Sequence, residues 1–171
     1  MRDILITKNE PTINIGPGLA KLELALPTSH LKISIDRKMN FLKQFKGIKN
    51  LHLINATAEK LPFRDCTIPT ITTQSTFQVM KDQKKFLKEL FRTLKLNGTF
   101  IVTIEYGGTY DIESQQFKIS PNKENNELEY LIKYFFHLGL NILEVKYLNL
   151  NGKWCNNIEE GFSLWIFGDK R

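Results

Sequence analysis

Between Thr12 and Val102 the chain alternates short β-branched runs with amphipathic, helix-like runs. Such a chain has few ways to bury all its apolar faces, and the commonest is a sheet flanked by helices. "PTINI" reads as a first strand ending at Ile15, and residues 19–26 read as a short buried helix stopped by Pro27. "LKISID" alternates as a strand, "MNFLKQF" is helical, and "NLHLINA" is strand again. "TIPTITTQ" reads as a fourth strand despite Pro69 near its start. Residues 82–95 form the clearest helix, with Phe86, Leu87, Leu90, Phe91 and Leu94 on one face and Asp82 as N-cap. Asn97-Gly98 is expected to close that helix before the apolar strand "TFIVTIEY". Residues 107–126 are the longest loop candidate, a helix over 127–139 follows, and two final strands read as a hairpin. The expected architecture is therefore α/β: a doubly wound, mostly parallel sheet with an antiparallel C-terminal hairpin strand, in one domain over 1–171.

A doubly wound sheet predicts where its ligand sits, beyond the carboxyl ends of the strands where their order reverses. Here those ends carry Gly16-Pro17-Gly18, then Asp36, Ala56 to Glu59, Thr73 to Ser75, and finally Glu105 and Tyr106. Gly16 and Gly18 permit close backbone approach and unusual dihedrals. The helix after them aims free N–H groups at an anionic group. Asp36 ends the second strand, 18 residues after Gly18, where a carboxylate can accept both hydroxyls of a ribose.

Composition narrows the classes without choosing one. The net charge of +6 and pI near 9.3 suit a polyanion, but many proteins share such a balance, so nucleic acid is supported by charge alone. The basic residues Lys84, Lys85, Lys88, Arg92 and Lys95 recur opposite the apolar face of the 82–95 helix, as on any solvated helix. No apolar run reaches spanning length, so no membrane partner is expected. The opening residues lack the pattern of a signal peptide, and the protein is expected to be cytoplasmic. Neither Cys66 nor Cys155 sits in a CxxC, so no metal site and no disulfide are expected.

The run Ala58 to Val102 carries a more specific signal. "AEKLPFRD", "TITTQSTFQVMKD", "LKELFRTLKLNG" and "TFIV" follow one another without a gap. Together with "INIGPG" and "ISID" they resemble the class I S-adenosylmethionine-dependent methyltransferases, the small "AExLPF" group in particular, over about residues 11–105. The resemblance implies S-adenosylmethionine as cofactor and an unidentified methyl acceptor. Gly16 and Gly18 would pass the methionine portion, and Asp36 would hold the ribose. Arg37 and Lys38 would flank the adenine, Ala58 would offer backbone contact to it with Thr57 alongside, and Gln74 and Ser75 would lie near the sulfonium.

The departures from that family are equally specific. Asn14 stands where the first strand usually carries an acid, and Thr57 where an Asp receives the adenine amino group. Pro69 replaces an Asp, and Gln78 and Val79 replace two histidines. Few residues precede the glycine loop, where the family carries a helical lid. The methionine end is thus expected to be open, and closed by a second protein chain or by substrate.

Methyl transfer from a sulfonium needs orientation and exclusion of water, and a base only if the nucleophile must lose a proton. Glu105 and Tyr106, at the end of the fifth strand, are the candidate catalytic acid and phenol. His30, His52 and His137 read as structural or surface residues. "TQSTF" lacks the Pro-Pro-aromatic turn used for amino methylation of bases in this fold, and neither cysteine follows a proline as in cytosine C5 methylation. Trp154, between the last strands, is a candidate interface or substrate anchor. The alternative to an enzyme is a non-catalytic or partner-dependent protein of the same fold with weakened cofactor binding.

Overall fold

The computed structural model describes residues 10–19, 21–105, 108–111, 116–119, 126–149, 151, 153–155 and 163–171. Its elements in chain order are β1 (Thr12–Ile15), α1 (Lys21–Ala25), β2 (Lys32–Asp36), α2 (Met39–Lys43), β3 (Leu51–Asn55), β4 (Ile68–Thr73), α3 (Gln83–Thr93), β5 (Leu94–Glu105), β6 (Gly108–Asp111), β7 (Gln116–Ile119), α4 (Asn126–His137), β8 (Leu140–Leu148), β9 (Trp154–Cys155) and β10 (Ser163–Lys170). Eight strands form one sheet in the order β3-β2-β1-β4-β5-β10-β8-β9. β1 to β5 run parallel, and β10 enters antiparallel against both β5 and β8. This is the expected Rossmann-like sheet with its antiparallel C-terminal strand. The order reverses between β1 and β4, which opens a crevice beyond their carboxyl ends.

The two faces of the sheet differ in chemistry. Ile13, Ile15, Ile35, Ile71, Phe100, Val102, Leu164 and Ile166 join Phe86, Leu87 and Leu90 of α3 and Phe135 of α4 in the main core. Phe100 and Phe135 stack with ring centroids 5.3 Å apart. α3 forms where the apolar spacing predicts, and the Asp82 carboxylate accepts the Lys85 N–H at 2.9 Å as its cap. The opposite face carries Asn14, Ser34 and Thr72, all buried. On the same face Ile101 of β5 and Phe167 of β10 form a small apolar cluster with Leu22 and Leu26 packed over them.

Two local expectations are corrected. α3 ends at Thr93, before Asn97-Gly98, because Leu94 turns extended and already pairs with Ile68. Lys170 supports that early stop: its ammonium donates to the carbonyls of Phe91 and Leu94 at 2.8 and 3.1 Å, satisfying carbonyls the helix leaves free. Asn97 takes φ 58° inside the irregular start of β5. Within the 107–126 segment, β6 and β7 pair antiparallel, so it is more than a loop.

Candidate cofactor site

β1 delivers Gly16 to the crevice. The first backbone contact there is strand-like, with Gly16 N–H donating to the Ile35 carbonyl at 2.8 Å. The chain then takes φ +67° at Gly16 and +54° at Gly18, a region that favours glycine. The two glycines serve different neighbours. A Cβ at Gly16 would lie 2.3 Å from Thr76 Oγ1, so the Thr76 side chain occupies that space. A Cβ at Gly18 would meet nothing within 4 Å. Thr76 Oγ1 donates to the Gly16 carbonyl at 3.0 Å and to that of Gln74 at 2.9 Å, which ties the post-β4 turn to the glycine loop.

A cavity of ≈ 220 Å³, open to solvent at its mouth, lies beside this loop. Gly16, Gly18, Asp36, Arg37, Lys38 and Ala58 line it. Asp36 ends β2 with one carboxylate oxygen accepting the Lys38 N–H at 2.7 Å, which fixes the side chain and leaves the second oxygen for a ligand. Phe41, Val79 and Met80 add apolar wall. The sequence reading did not place them at the site: Val79 entered only as a departure from a family histidine, and no motif marks Phe41 or Met80. Phe41 sits on the exposed face of α2 and Val79 in the turn Phe77–Val79, and only tertiary proximity brings them together.

The other predicted site residues lie outside the cavity lining. Asn14 is buried beneath the loop. Thr57 is exposed and forms an isolated bridge with Lys60. Gln74 is half-buried, and Ser75 is exposed with φ 50°, its N–H donating to Thr103 Oγ1 at 2.8 Å. Glu105 is half-buried at the end of β5, and Tyr106 lies outside the described residues. Trp154 reaches the same end of the sheet: Glu105 pairs with Ser163, Ser163 with Leu148, and Leu148 with Trp154. Its ring lies 5.5 Å from Trp165, with the Lys146 ammonium 5.7 Å from its centroid. Among the described residues no cluster of three or more His, Cys, Asp or Glu is placed to hold a metal. No described helix is long and apolar enough to cross a membrane.

The "AEKLPFRD" segment owes its shape to α3. Arg92 donates to the carbonyls of Leu61 and Phe63 at 3.1 and 2.9 Å and pairs with Asp65 and Glu89, each at 2.7 Å. Glu89 in turn accepts the Leu61 N–H at 2.8 Å. The Arg92 hydrogen bond holds the Glu89 carboxyl below its ordinary pKa, and the two carboxylates raise that of Arg92. Ala58 and Glu59, at the start of this segment, line the cavity.

Residues 13–102 match the methyltransferase domain family, more than half of the chain. The chain belongs to the class I S-adenosylmethionine-dependent methyltransferases. Among curated members, it is 30% identical over 101 residues to the uncharacterized methyltransferase YcgJ of Bacillus subtilis, a match spanning 55% of this chain and 40% of YcgJ. The chain thus aligns with about two fifths of that relative's length. The crystal structure of YcgJ superposes with a TM-score of 0.69 at 18% identity, covering 100% of this chain and 96% of that one. A possible histamine N-methyltransferase from Thermotoga maritima gives 0.72 at 18% identity, covering 99% and 86%. A putative methyltransferase from Haloferax volcanii, in complex with the Trm112 methyltransferase activator, gives 0.71 at 18%, covering 95% and 83%. At these identities the likeness to solved structures establishes the fold.

Proposed function

We propose that this protein transfers a methyl group from S-adenosylmethionine to an acceptor that enters beside the ends of β4 and β5. The observation that carries the reading is the cavity at the β1/β4 crevice, in which an open glycine at 18 and a fixed carboxylate at 36 face apolar walls. These residues fit the cofactor. Asp36 is suited to the ribose hydroxyls, the Gly18 backbone has room for close approach, and Phe41, Val79, Met80 and Ala58 offer apolar surface to the adenine. When bound, S-adenosylmethionine supplies the electrophilic methyl group. The chain's own work is to orient the acceptor, exclude water and, where the nucleophile must lose a proton, receive it. Gln74, Ser75 and Glu105 are the described residues at the strand ends suited to the acceptor side, and Tyr106 is proposed with them.

Binding only to the native state must raise its stability. S-adenosylmethionine or S-adenosylhomocysteine is expected to raise the melting temperature, and Asp36→Ala to abolish the shift. A well-folded sample that shows no shift with either at millimolar concentration would sink the enzyme reading.

A second reading has its own support. Val79 and Phe41, which line the cavity, are 67% and 42% exposed, and Leu19 and Met39, each next in the chain to a lining residue, are 74% and 46% exposed, apolar surface suited to a covering chain. The Haloferax neighbour is itself in complex with an activator protein. In this reading a second protein chain closes the site. Cofactor affinity that rises with protein concentration would indicate a second copy in that role.

A further inference from the structure

The polar face of the sheet holds a carboxylate that nothing above employs. Glu23, on α1, is 2% exposed. Its Oε1 accepts from Asn14 Nδ2 at 2.8 Å and from the Ser34 hydroxyl. Its Oε2 is buried with no hydrogen-bond partner. Asn14 completes a chain of bonds, because its Oδ1 accepts from Thr72 Oγ1 at 3.1 Å. A buried carboxylate is costly unless a cation compensates it, and no described residue forms an ion pair with Glu23. A basic group on the same face is Lys32, also 2% exposed. Its ammonium is bonded to the Pro27 carbonyl at 3.1 Å, and burial lowers its pKa against the raising effect of Glu23.

Register places this charge. Lys32 pairs with Thr12, toward the amino ends of the strands, whereas Ser34 pairs with Asn14, two residues before Gly16. Glu23 bridges the Asn14 row, so its carboxylate lies between Lys32 and the glycine loop. The strand position that lacks an acid is thus hydrogen-bonded to one supplied by the next helix.

We propose that Glu23 supplies the negative charge for the ammonium at the methionine end of the cofactor, acting across Asn14 as a positioning residue. The inference rests on the cofactor reading above. Two residues of strand, about 7 Å, separate Asn14 from Gly16, and Glu23 lies a further hydrogen bond of 2.8 Å beyond the Asn14 amide; over the resulting ~10 Å through protein a single charge is worth on the order of tenfold in affinity.

The test compares two ligands by calorimetry on the purified protein. S-adenosylhomocysteine carries the amino-acid group, and 5′-methylthioadenosine lacks it. Glu23→Gln is expected to weaken the first about tenfold and the second less than twofold. The exchanged pair Asn14→Asp with Glu23→Gln moves the charge to position 14, with the new amide at position 23 donating to the new carboxylate at position 14 and to the Ser34 hydroxyl, whose bond reverses, and is expected to restore S-adenosylhomocysteine binding. Equal weakening of both ligands, or none, overturns the proposal, because a purely structural role would not distinguish them. Should Glu23→Gln alone fail to fold, the exchanged pair decides: wild-type preference supports the proposal and a lost preference overturns it. Wild-type protein that binds neither ligand overturns the cofactor reading and this inference with it.

Discussion

Gly16 and Gly18 look alike in the sequence, yet the structure gives them different work. Gly16 is required by packing, since the Thr76 side chain fills the space of its missing Cβ. Gly18 borders open space. Gly16→Ala should therefore destabilise the fold by about 3 kcal/mol, from the clash and the positive φ together. Gly18→Ala should cost only about 1 kcal/mol while weakening S-adenosylhomocysteine binding. Urea denaturation and ligand titration of both variants check this, and equal stability losses would contradict it. The glycine pair was legible in the sequence. The reason for each glycine was not, because Thr76 is 60 positions from Gly16.

At the scale of elements, the loop after β3 has almost no regular structure and depends on α3 for its course. Arg92 alone reaches two of its carbonyls and the Asp65 carboxylate, while Glu89 holds Leu61. Removing the guanidinium leaves partly buried carbonyls and Glu89 without their donor. Arg92→Ala should cost about 2 kcal/mol, or a melting temperature lower by ~4–8 °C in a chain of this size. Because Ala58 and Glu59 begin the same segment, ligand affinity should fall as well. A thermal melt with and without S-adenosylhomocysteine measures both, and a variant with wild-type stability would refute the anchoring role. The 82–95 periodicity located α3 well, since its apolar stripe meets the main core directly. Its end was misplaced at Asn97-Gly98 because the stop comes from the pairing of Leu94 with Ile68 and from Lys170 at the far end of the chain. Neither contact has a local signature.

At the scale of the whole molecule, one face of the sheet is apolar and the other conceals ionisable groups. His30 is buried, 2.9 Å from Thr12 Oγ1 through its Nε2, and burial followed by the charge of Lys32 lowers its pKa. The native state thus binds fewer protons than the unfolded chain just below the ordinary histidine pKa of about 6.5. Stability rises with pH wherever the unfolded state binds more protons, so it should fall as pH drops from about 7.5 to about 5.5. Glu89, with its pKa lowered chiefly by Arg92, adds a second loss below about pH 4.5 as its folded-state carboxylate is forced to protonate. Thermal melts across this range check the sign. His30→Gln should flatten the upper step, and an unchanged drop in that variant would assign it elsewhere.

The amino-acid sequence by itself determined the order of strands and helices from Thr12 to Val102, the crevice at the end of β1, and the positions of Gly16, Gly18 and Asp36. Those features follow from periodicity and turn chemistry, which are local. Tertiary structure alone decided which residues meet there. It set Thr76 against Gly16, joined Phe41 to Val79 and Met80, and brought Glu23 beneath Asn14. A glutamate in a short amphipathic run reads as solvated until the helix carrying it is laid across β1 and β2. Burial, and with it the electrostatic meaning of that carboxylate, is a property of the packed sheet rather than of the run "KLELA".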